Sequence, residues 1–290
     1  MTWHVWFGLA LCLLTALGEG IATYGSSQWS AMTQAQTGEL DAARTARGEA
    51  THPTRHHFNE LDGLPAPVQR YFRAVLTDGQ PIITAATLNL DGTFNLSPTG
   101  QQWKPFTAHQ RVVTRRPGFL WDAEIAMFPG LQVRVVDSYI AGMGRLHAAI
   151  LGLFTIADLS GGGEIARGEF MRFFAEAAWY PTALLPGQGV RWEAVDDHSA
   201  NATIADGPLT LTLLFRFDEA GLIGSFRAEA RGAGSGKEMT MLPWEGSWSN
   251  YQARDGMIVP FAGEVAWIRP EGRQQYFVGN VTSLNYEFAP

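Results

Sequence analysis

The pattern of apolar and polar positions divides this 290-residue chain into regions of different character. The first region, from Val5 to Gly18, is an apolar run that Glu19 ends. A bilayer span takes about 20 such residues, and the apolar core of a signal peptide is shorter. Residues 1–25 are therefore predicted to be a signal peptide or a signal-anchor helix.

The next region, residues 26–55, is rich in Ala, Thr, Gln, Ser and Gly and has few apolar residues. Such a composition favours a flexible tether, partly helical at most. Residues 56–290 are predicted to form a single folded domain. It opens with an amphipathic helix over 64–76, in which Val68, Tyr71, Phe72 and Val75 recur at helical spacing after two prolines.

Beyond this helix the apolar positions alternate, and Gly, Pro and Asp residues punctuate the segments about every dozen residues. The pattern predicts about eleven antiparallel strands. Residues 145–159 fit either a strand or a helix. A second helix is predicted at 168–180, with strands before and after it. The fold class is mainly β with helices: a strongly curved antiparallel sheet or half-barrel, with the helices on its concave face.

Composition narrows the possible functions. Only 17% of the residues are charged and the net charge is −7, without any long run of Lys or Arg, so a nucleic-acid partner has no electrostatic support. Cys12 is the single cysteine, which excludes disulfides and cysteine-based zinc sites in the folded domain. This is compatible with an oxidising compartment, and we expect a membrane-anchored or secreted protein whose body is extracytoplasmic, as in the periplasm. Arg44 and Arg47 favour the opposite orientation by the positive-inside rule.

The second helix, in the stretch "GEFMRFFAEAAWYPTALLP", is apolar over a wide arc, which predicts burial on more than one side. Its charges form one stripe, Glu169, Arg172 and Glu176, at spacings i, i+3 and i+7. Arg172 lies between the two acids and would hold both in the ionised form. A general acid must instead carry a proton. The stripe is predicted to be a charge-balanced polar surface, and no catalytic residue is assigned.

Aromatic residues on this helix and on the later strands predict either core packing or an apolar pocket between helix and sheet. We assign the pocket as the site. Its predicted ligand-binding residues are Phe170, Phe173, Phe174, Trp179, Trp192, Trp244, Trp248 and Trp267.

Motifs of known catalytic chemistry are missing from the sequence: it contains no phosphate-binding loop, no metalloprotease motif and no nucleophile elbow. His52, His56, His57 and Glu60 have ligand-type spacing, but a polar lead-in to the first helix explains them as well. We therefore predict neither a metal nor a cofactor.

The succession "LPAPVQRYFRAVL", "GEFMRFFAEAAWYPTALLP", "FRFDEAGLI" and "YQARDGMIVPFAGEVAW" resembles a bacterial family with a domain of unknown function and an N-terminal hydrophobic segment. The resemblance covers most of residues 60–288 and implies no activity. More distantly, the element order is similar to the lipoprotein carriers of the Lol system. That likeness implies a half-barrel that holds helices on its concave face and shelters acyl chains.

Three functions fit the sequence. The first is a membrane-tethered extracytoplasmic protein that binds a lipid or other apolar ligand beside the helix at 168–180, without catalysis. The second is a hydrolase of a lipid-like substrate that uses Glu169 or Glu176 with a histidine such as His147. The third is a structural or assembly module whose aromatic residues are all core.

Overall fold

Residues 3–45, 53–97, 100–234 and 239–290 are described by a computed structural model of the chain. Three α-helices occur there: α1 (Trp3–Thr45), α2 (Ala66–Val75) and α3 (Gly163–Ala175). Short 3-10 turns occupy Phe58–Leu61, Glu176–Trp179, Pro181–Leu184 and Pro186–Gln188. The strands are β1 (Ile83–Asn95), β2 (Trp103–Val113), β3 (Gly118–Phe128), β4 (Leu131–Ile140), β5 (Met143–Ile150), β6 (Phe154–Gly161), β7 (Arg191–Asp196), β8 (Ser199–Asp206), β9 (Leu209–Phe217), β10 (Ile223–Ala233), β11 (Thr240–Arg254), β12 (Met257–Arg269) and β13 (Gly272–Phe288).

All these strands belong to one antiparallel sheet in the order β6-β5-β4-β3-β2-β1-β13-β12-β11-β10-β9-β8-β7. The first and the last strand of the chain, β1 and β13, pair at its centre, with Leu88 opposite Leu284. Within the described residues β6 and β7 do not pair with each other, so the sheet stays open. The predicted fold class is confirmed.

The contacts of α3 show that the sheet is strongly curved. This helix touches β5 near one edge and β9 near the other, which lie nine strand positions apart. In a flat sheet that separation would be about 43 Å at roughly 4.8 Å per strand. A helix with its side chains is only about 10–12 Å wide. The sheet therefore wraps around α3, and we call the enclosed surface its inner face.

The core fills the space between this inner face, α2 and α3. The predicted helix at 64–76 is confirmed, since α2 buries Val68, Tyr71, Phe72 and Val75 against the sheet. The second predicted helix begins earlier than expected, at Gly163 rather than at residue 168. Its α-helical part ends at Ala175 and a 3-10 turn continues it to Trp179.

The sheet has thirteen strands where about eleven were predicted. The difference lies in residues 145–159, which form most of the β5–β6 hairpin. Its turn places Leu151 and Gly152 at positive φ, 55° and 71°. Leucine rarely adopts this conformation, so Leu151 does not mark a turn in the sequence.

Helix α1 differs from the predicted flexible tether. It runs unbroken to Thr45, and its second half lies on the outer face of the sheet. Trp29 is buried there and its Nε1 donates to Asp122 Oδ1 at 2.8 Å. Leu40 is also fully buried, and Asp41 pairs with Arg111 at 2.9 Å. Strands β2 to β4 thus lie between α1 outside and α3 inside.

Candidate ligand cavity

A cavity of about 510 Å³ lies between α3 and the inner face of the sheet. Its walls are rich in aromatic side chains, most of them from inward-facing positions of β3 and of β10 to β13. The aromatic lining residues are Phe94, Trp121, Trp179, Phe226, Trp244, Trp248, Trp267, Tyr276 and Phe277. A cavity of this size and character falls in the range of small-molecule sites, about 300–1,000 Å³.

The charged stripe of α3 forms the wall of the cavity on the helix side. Glu169, Arg172 and Glu176 all line it, together with Gly168 and Ala175. The stripe therefore faces an enclosed space rather than bulk water. Charged side chains in such a position need partners from the facing strands, since unpaired buried charge is costly.

Arg172 has those partners. Its Nη1 donates to Asp137 Oδ2 and its Nε to Glu176 Oε1, both at 2.8 Å. The guanidinium group also lies over the ring of Trp121, 4.7 Å from the ring centroid. Glu176 accepts a further hydrogen bond of 2.6 Å from Gln110 Nε2. The cluster is held by α3, β2 and β4, which fixes Arg172 in one orientation.

Glu169 lies beside this cluster but does not share its bonds. The residue is 8% exposed, and within the described part of the chain its Oε2 has no hydrogen-bond partner. Burial, reinforced by the charge of Asp137, raises the pKa of Glu169 to about 8. The expectation that Arg172 holds both acids of the stripe ionised is therefore wrong for Glu169, because Arg172 is bound to Glu176 and Asp137. Burial also raises the pKa of Asp137, against the opposing charge of Arg172.

A second arginine, Arg231 of β10, lines the cavity beside the start of α3. Its Nε donates to the carbonyl oxygen of Gly168 at 3.3 Å. Its guanidinium group lies 4.4 Å from the ring centroid of Trp244 and 5.6 Å from that of Trp267. Such cation–aromatic contacts hold the group against the wall. The cavity thus combines an aromatic surface, a protonated carboxyl and a positively charged group.

The sequence comparison identifies the family. Residues 62–286 match the family of unknown function DUF6920, and this match spans α2, α3 and nearly the whole sheet. The chain belongs to this family. The search among curated proteins gives no match.

Two solved structures resemble this DUF6920 member. One is a LolA superfamily protein from Nitrosomonas europaea, with a TM-score of 0.42 and 10% identity over 79% of this chain and 96% of that one. The other is a beta-barrel-like protein of the domain of unknown function DUF1849 from Brucella abortus. It has a TM-score of 0.22 and 10% identity over 71% of this chain and 99% of that one. At 10% identity, likeness of this kind concerns the fold alone.

The predicted ligand-binding residues divide into two groups. Trp179, Trp244, Trp248 and Trp267 line the cavity. The remaining four lie outside its lining and pack in the core: Phe170 stacks on Tyr139, Phe173 contacts Tyr180, Phe174 contacts Phe215, and Trp192 contacts Phe72 and Phe215. The phenylalanine face of α3 thus points away from the cavity, and the charged stripe points towards it.

Several lining residues were missed by the sequence analysis. Asp137 had a detectable signal, because Val133, Val135, Asp137 and Tyr139 alternate along β4 and therefore share the inner face. A carboxyl at such a position suggests a buried partner. Arg231 had no comparable signal, since its role depends on how far the sheet curves. The same holds for Gln110, which is not part of the lining but donates to Glu176.

The histidine proposed for a hydrolase lies on the other side of the sheet. His147 stacks on Trp29 of α1 at the outer face, with 5.3 Å between ring centroids, whereas its neighbour Leu146 lines the cavity. The pairing of His147 with Glu169 or Glu176 is therefore wrong. Among the described lining residues there is no histidine and no cysteine.

Two further expectations concern a metal site at His52, His56, His57 and Glu60 and the packing of the interior. His56 is buried and its Nδ1 lies 2.5 Å from Glu60 Oε1, so the two residues bind each other; His52 lies outside the described residues. No group of three potential ligands that could hold a metal ion occurs in the part of the chain that the structure describes. A fully packed interior would have supported the purely structural hypothesis, and the cavity beside α3 does not give it that support.

Proposed function

We propose that this DUF6920 member is a membrane-tethered extracytoplasmic protein that binds a lipid or other apolar ligand in the cavity beside α3, without catalysing a reaction. The observation that carries the proposal is the aromatic cavity of about 510 Å³ between helix and curved sheet. Apolar surface on both ligand and wall leaves water on binding, which is the main source of affinity for such ligands.

The polar groups in the wall favour an amphiphile over a pure hydrocarbon. Glu169 in its protonated form can donate a hydrogen bond, and Arg231 carries a fixed positive charge. Both belong to the same wall, so a polar or anionic end of the ligand fits beside them while its chain lies against the tryptophans. Lipids and fatty acids have such a polar or anionic end and an apolar chain.

The first half of α1 supports the tether. It is the one helix in the described ranges that is long and apolar enough to cross a membrane, by length and composition. The side chains of Trp3, Trp6, Phe7 and Leu13 on this half are all exposed. Insertion of this half of α1 into the hydrocarbon core of a bilayer would remove these side chains from water. The lack of cysteine after Cys12 is compatible with an oxidising compartment for the body.

Native mass spectrometry of the full chain, released from detergent micelles, tests the proposal. Gly168→Leu places a side chain into the cavity at a position where a Cβ has room, 3.8 Å from Arg231 Nε. Wild-type protein is expected to retain a lipid mass that Gly168→Leu loses. Gly38→Leu, on the exposed side of α1 with nothing within 4 Å, is the matched control and should retain it. Equal lipid in all three proteins, or none in the wild type, would refute the proposal.

A second function, hydrolysis of a lipid-like substrate, is favoured by the raised pKa of Glu169, because a carboxyl that is protonated near neutral pH can act as a general acid. It requires Glu169→Gln to abolish turnover while lipid binding persists. The assay uses a fluorogenic fatty-acid ester. Hydrolysis by Glu169→Gln at the wild-type rate, or the absence of hydrolysis by the wild type, excludes the hydrolase function.

A further inference from the structure

The connections of the sheet define two ends of the molecule. Successive antiparallel strands reverse direction, so every second connection lies at the same end. We call one of these the mouth end. Its connections are 95–103, 128–131, 150–154, 206–209, 233–240 and 269–272. The opposite end carries 113–118, 140–143, 196–199, 217–223 and 254–257.

The cavity reaches the mouth end on the side of β1 and β10 to β13. Its lining includes residues from three of the connections there or directly beside them: Leu96 and Ser97 after β1, Gly234 and Met239 between β10 and β11, and Arg269 at the end of β12. The opposite side of α3 is filled by the packed phenylalanines. On the side of β6 the lining runs to the opposite end, through Leu159, Glu164 and Ile165. The mouth end is therefore one route by which a ligand can enter or leave.

Helix α1 leaves the sheet at the same end. Leu40 packs against Gly118, at the opposite end of β3. Gly25, four turns earlier, lies directly against the turn at Leu151 to Leu153, which is part of the mouth end. The helix continues without a break, so residues 3–24 extend beyond the mouth end. These 22 residues measure about 33 Å at 1.5 Å per residue, close to the roughly 30 Å of a hydrocarbon core.

Only the segment from Glu19 to Tyr24, about 9 Å of helix, separates the apolar run from its first contact with the sheet at Gly25. Ile21 and Tyr24 are exposed, while the adjacent Gly25 is buried and the hydroxyl of Ser26 accepts a hydrogen bond from Arg134. If the apolar run crosses a bilayer, the bilayer surface lies within about two helical turns of the mouth end. The position of the body relative to the membrane is then fixed by the helix.

Exposed apolar side chains concentrate at this end. Between residues 53 and 290 the described chain exposes seven large apolar side chains. Five belong to the mouth end or to strand residues next to it: Leu96, Phe128, Phe154, Ile156 and Met241. The other two, Met143 and Val195, lie at the opposite end. Phe128 is 66% exposed and Phe154 61%, and Lys104 Nζ lies 5.0 Å from the ring of Phe128. Apolar rings beside a lysine suit the boundary between headgroups and acyl chains.

We propose that these five side chains form a membrane-contact surface, which holds the opening of the cavity against the bilayer that α1 enters. The partner is a lipid bilayer rather than another protein, because the continuous helix brings the bilayer to this surface. A ligand could then pass between membrane and cavity without crossing water. The inference rests on the proposed tether and is independent of whether the cavity holds a ligand.

Site-specific fluorescence quenching on the full chain tests the surface. In a Cys12→Ser background, single cysteines are introduced by Phe128→Cys and Phe154→Cys at the mouth end. Met143→Cys and Val195→Cys, at the opposite end, are the matched controls. All four positions are exposed, so labelling with the dye NBD leaves the core unchanged. Native Cys12, in the apolar half of α1, is labelled as the reference for membrane insertion. The proteins are reconstituted in vesicles of phosphatidylethanolamine and phosphatidylglycerol that contain doxyl-labelled lipid.

The proposal predicts that NBD on Cys12, at 128 and at 154 loses most of its fluorescence to the lipid-borne quencher, and that NBD at 143 and 195 keeps it. Quenching of Cys12 with equal signals at all four body positions would overturn the contact surface while leaving the tether intact. An unquenched Cys12 label would overturn both. Neither result depends on lipid in the cavity, which the mass measurement of Gly168→Leu reports separately.

Discussion

At the scale of single residues, the groups around α3 behave as one electrostatic unit. Asp137, Glu169 and Glu176 would carry three negative charges against the two positive charges of Arg172 and Arg231. Protonation of Glu169 balances this count, and it is the acid without a bond to Arg172. The low dielectric of the site penalises excess charge, which explains why one of the three acids stays neutral.

The pH dependence of stability reports this protonation. The pKa of Glu169 rises from 4.5 to about 8 on folding, so the native state holds a proton that the unfolded chain releases. The contribution to stability is complete below about pH 4.5 and is lost as the pH rises through about 8. Glu169→Gln removes this loss, which amounts to a few kcal/mol because each pH unit between the two pKa values is worth about 1.4 kcal/mol.

Urea unfolding followed by tryptophan fluorescence measures the effect at mildly acidic and mildly alkaline pH. Wild-type protein should lose stability between the two conditions, and Glu169→Gln should lose clearly less. Glu164→Gln, an exposed acid of the same helix, is the control and should follow the wild type. A decline in Glu169→Gln as steep as in the wild type would contradict the assignment.

Arg172→Met tests the ion cluster itself. The substitution leaves Asp137 and Glu176 buried without their cation and removes the contact with Trp121. We expect a loss of about 3–5 kcal/mol in the free energy of unfolding, as is usual when one partner of a buried pair is removed. Arg167→Met on the same helix breaks a solvent-exposed pair of 3.9 Å with Glu164 and an exposed hydrogen bond of 3.4 Å to the carbonyl oxygen of Thr210, and should cost less than about 1 kcal/mol. Similar losses in both variants would show that the ion cluster contributes no more to the free energy of unfolding than an exposed ion pair does.

At the scale of elements, two helices on opposite faces hold the curved sheet. α3 fixes the inner face through its phenylalanines and its ion cluster. α1 fixes the outer face through a stripe of buried residues, Gly25, Trp29, Thr33, Gln36 and Leu40. Only two of these are large and apolar. Close approach and hydrogen bonds therefore contribute to this contact along with hydrophobic burial.

Gly25→Ala is expected to weaken the contact of α1. A Cβ at this position would lie 2.1 Å from the carbonyl oxygen of Leu151, so helix or turn must move. Gly38→Ala is the control within the same helix, because nothing lies within 4 Å of its Cβ and alanine favours the helix by about 1 kcal/mol. Hydrogen exchange of amides 26–40 measures the effect. It should be faster than wild type in Gly25→Ala and no faster in Gly38→Ala, and unchanged exchange in both variants would contradict the packing of α1.

At the scale of the whole molecule, element order and fold class could be predicted from the sequence, because alternation and helical spacing are local properties. The contacts that build the site could not. The second half of α3, from Glu169 to Ala175, is buried or half-buried on all sides, so its periodicity could not tell whether the phenylalanines or the charged stripe face the cavity. The stripe of α1 was missed because Gly25, Thr33 and Gln36 carry no hydrophobic signal. The β5–β6 hairpin was missed because Leu151 occupies a turn position that usually takes glycine or asparagine.

Together the features describe an open half-barrel whose cavity, exposed apolar residues and membrane-compatible helix share one end. The arrangement suits a protein that takes up or presents a membrane-derived ligand. We propose that this ligand occupies the space between α3 and the inner face of the sheet.

The most direct measurement is photo-crosslinking of the full chain in vesicles that contain phospholipid with a diazirine on its acyl chain, followed by peptide mapping. The account predicts crosslinks on α3 and on β11 to β13 in addition to those on the apolar half of α1. Gly168→Leu should lose the crosslinks on α3 and on β11 to β13 and keep those on the apolar half of α1. Gly38→Leu should keep both sets. Crosslinks confined to α1 in the wild type, or cavity crosslinks that persist in Gly168→Leu, would contradict it.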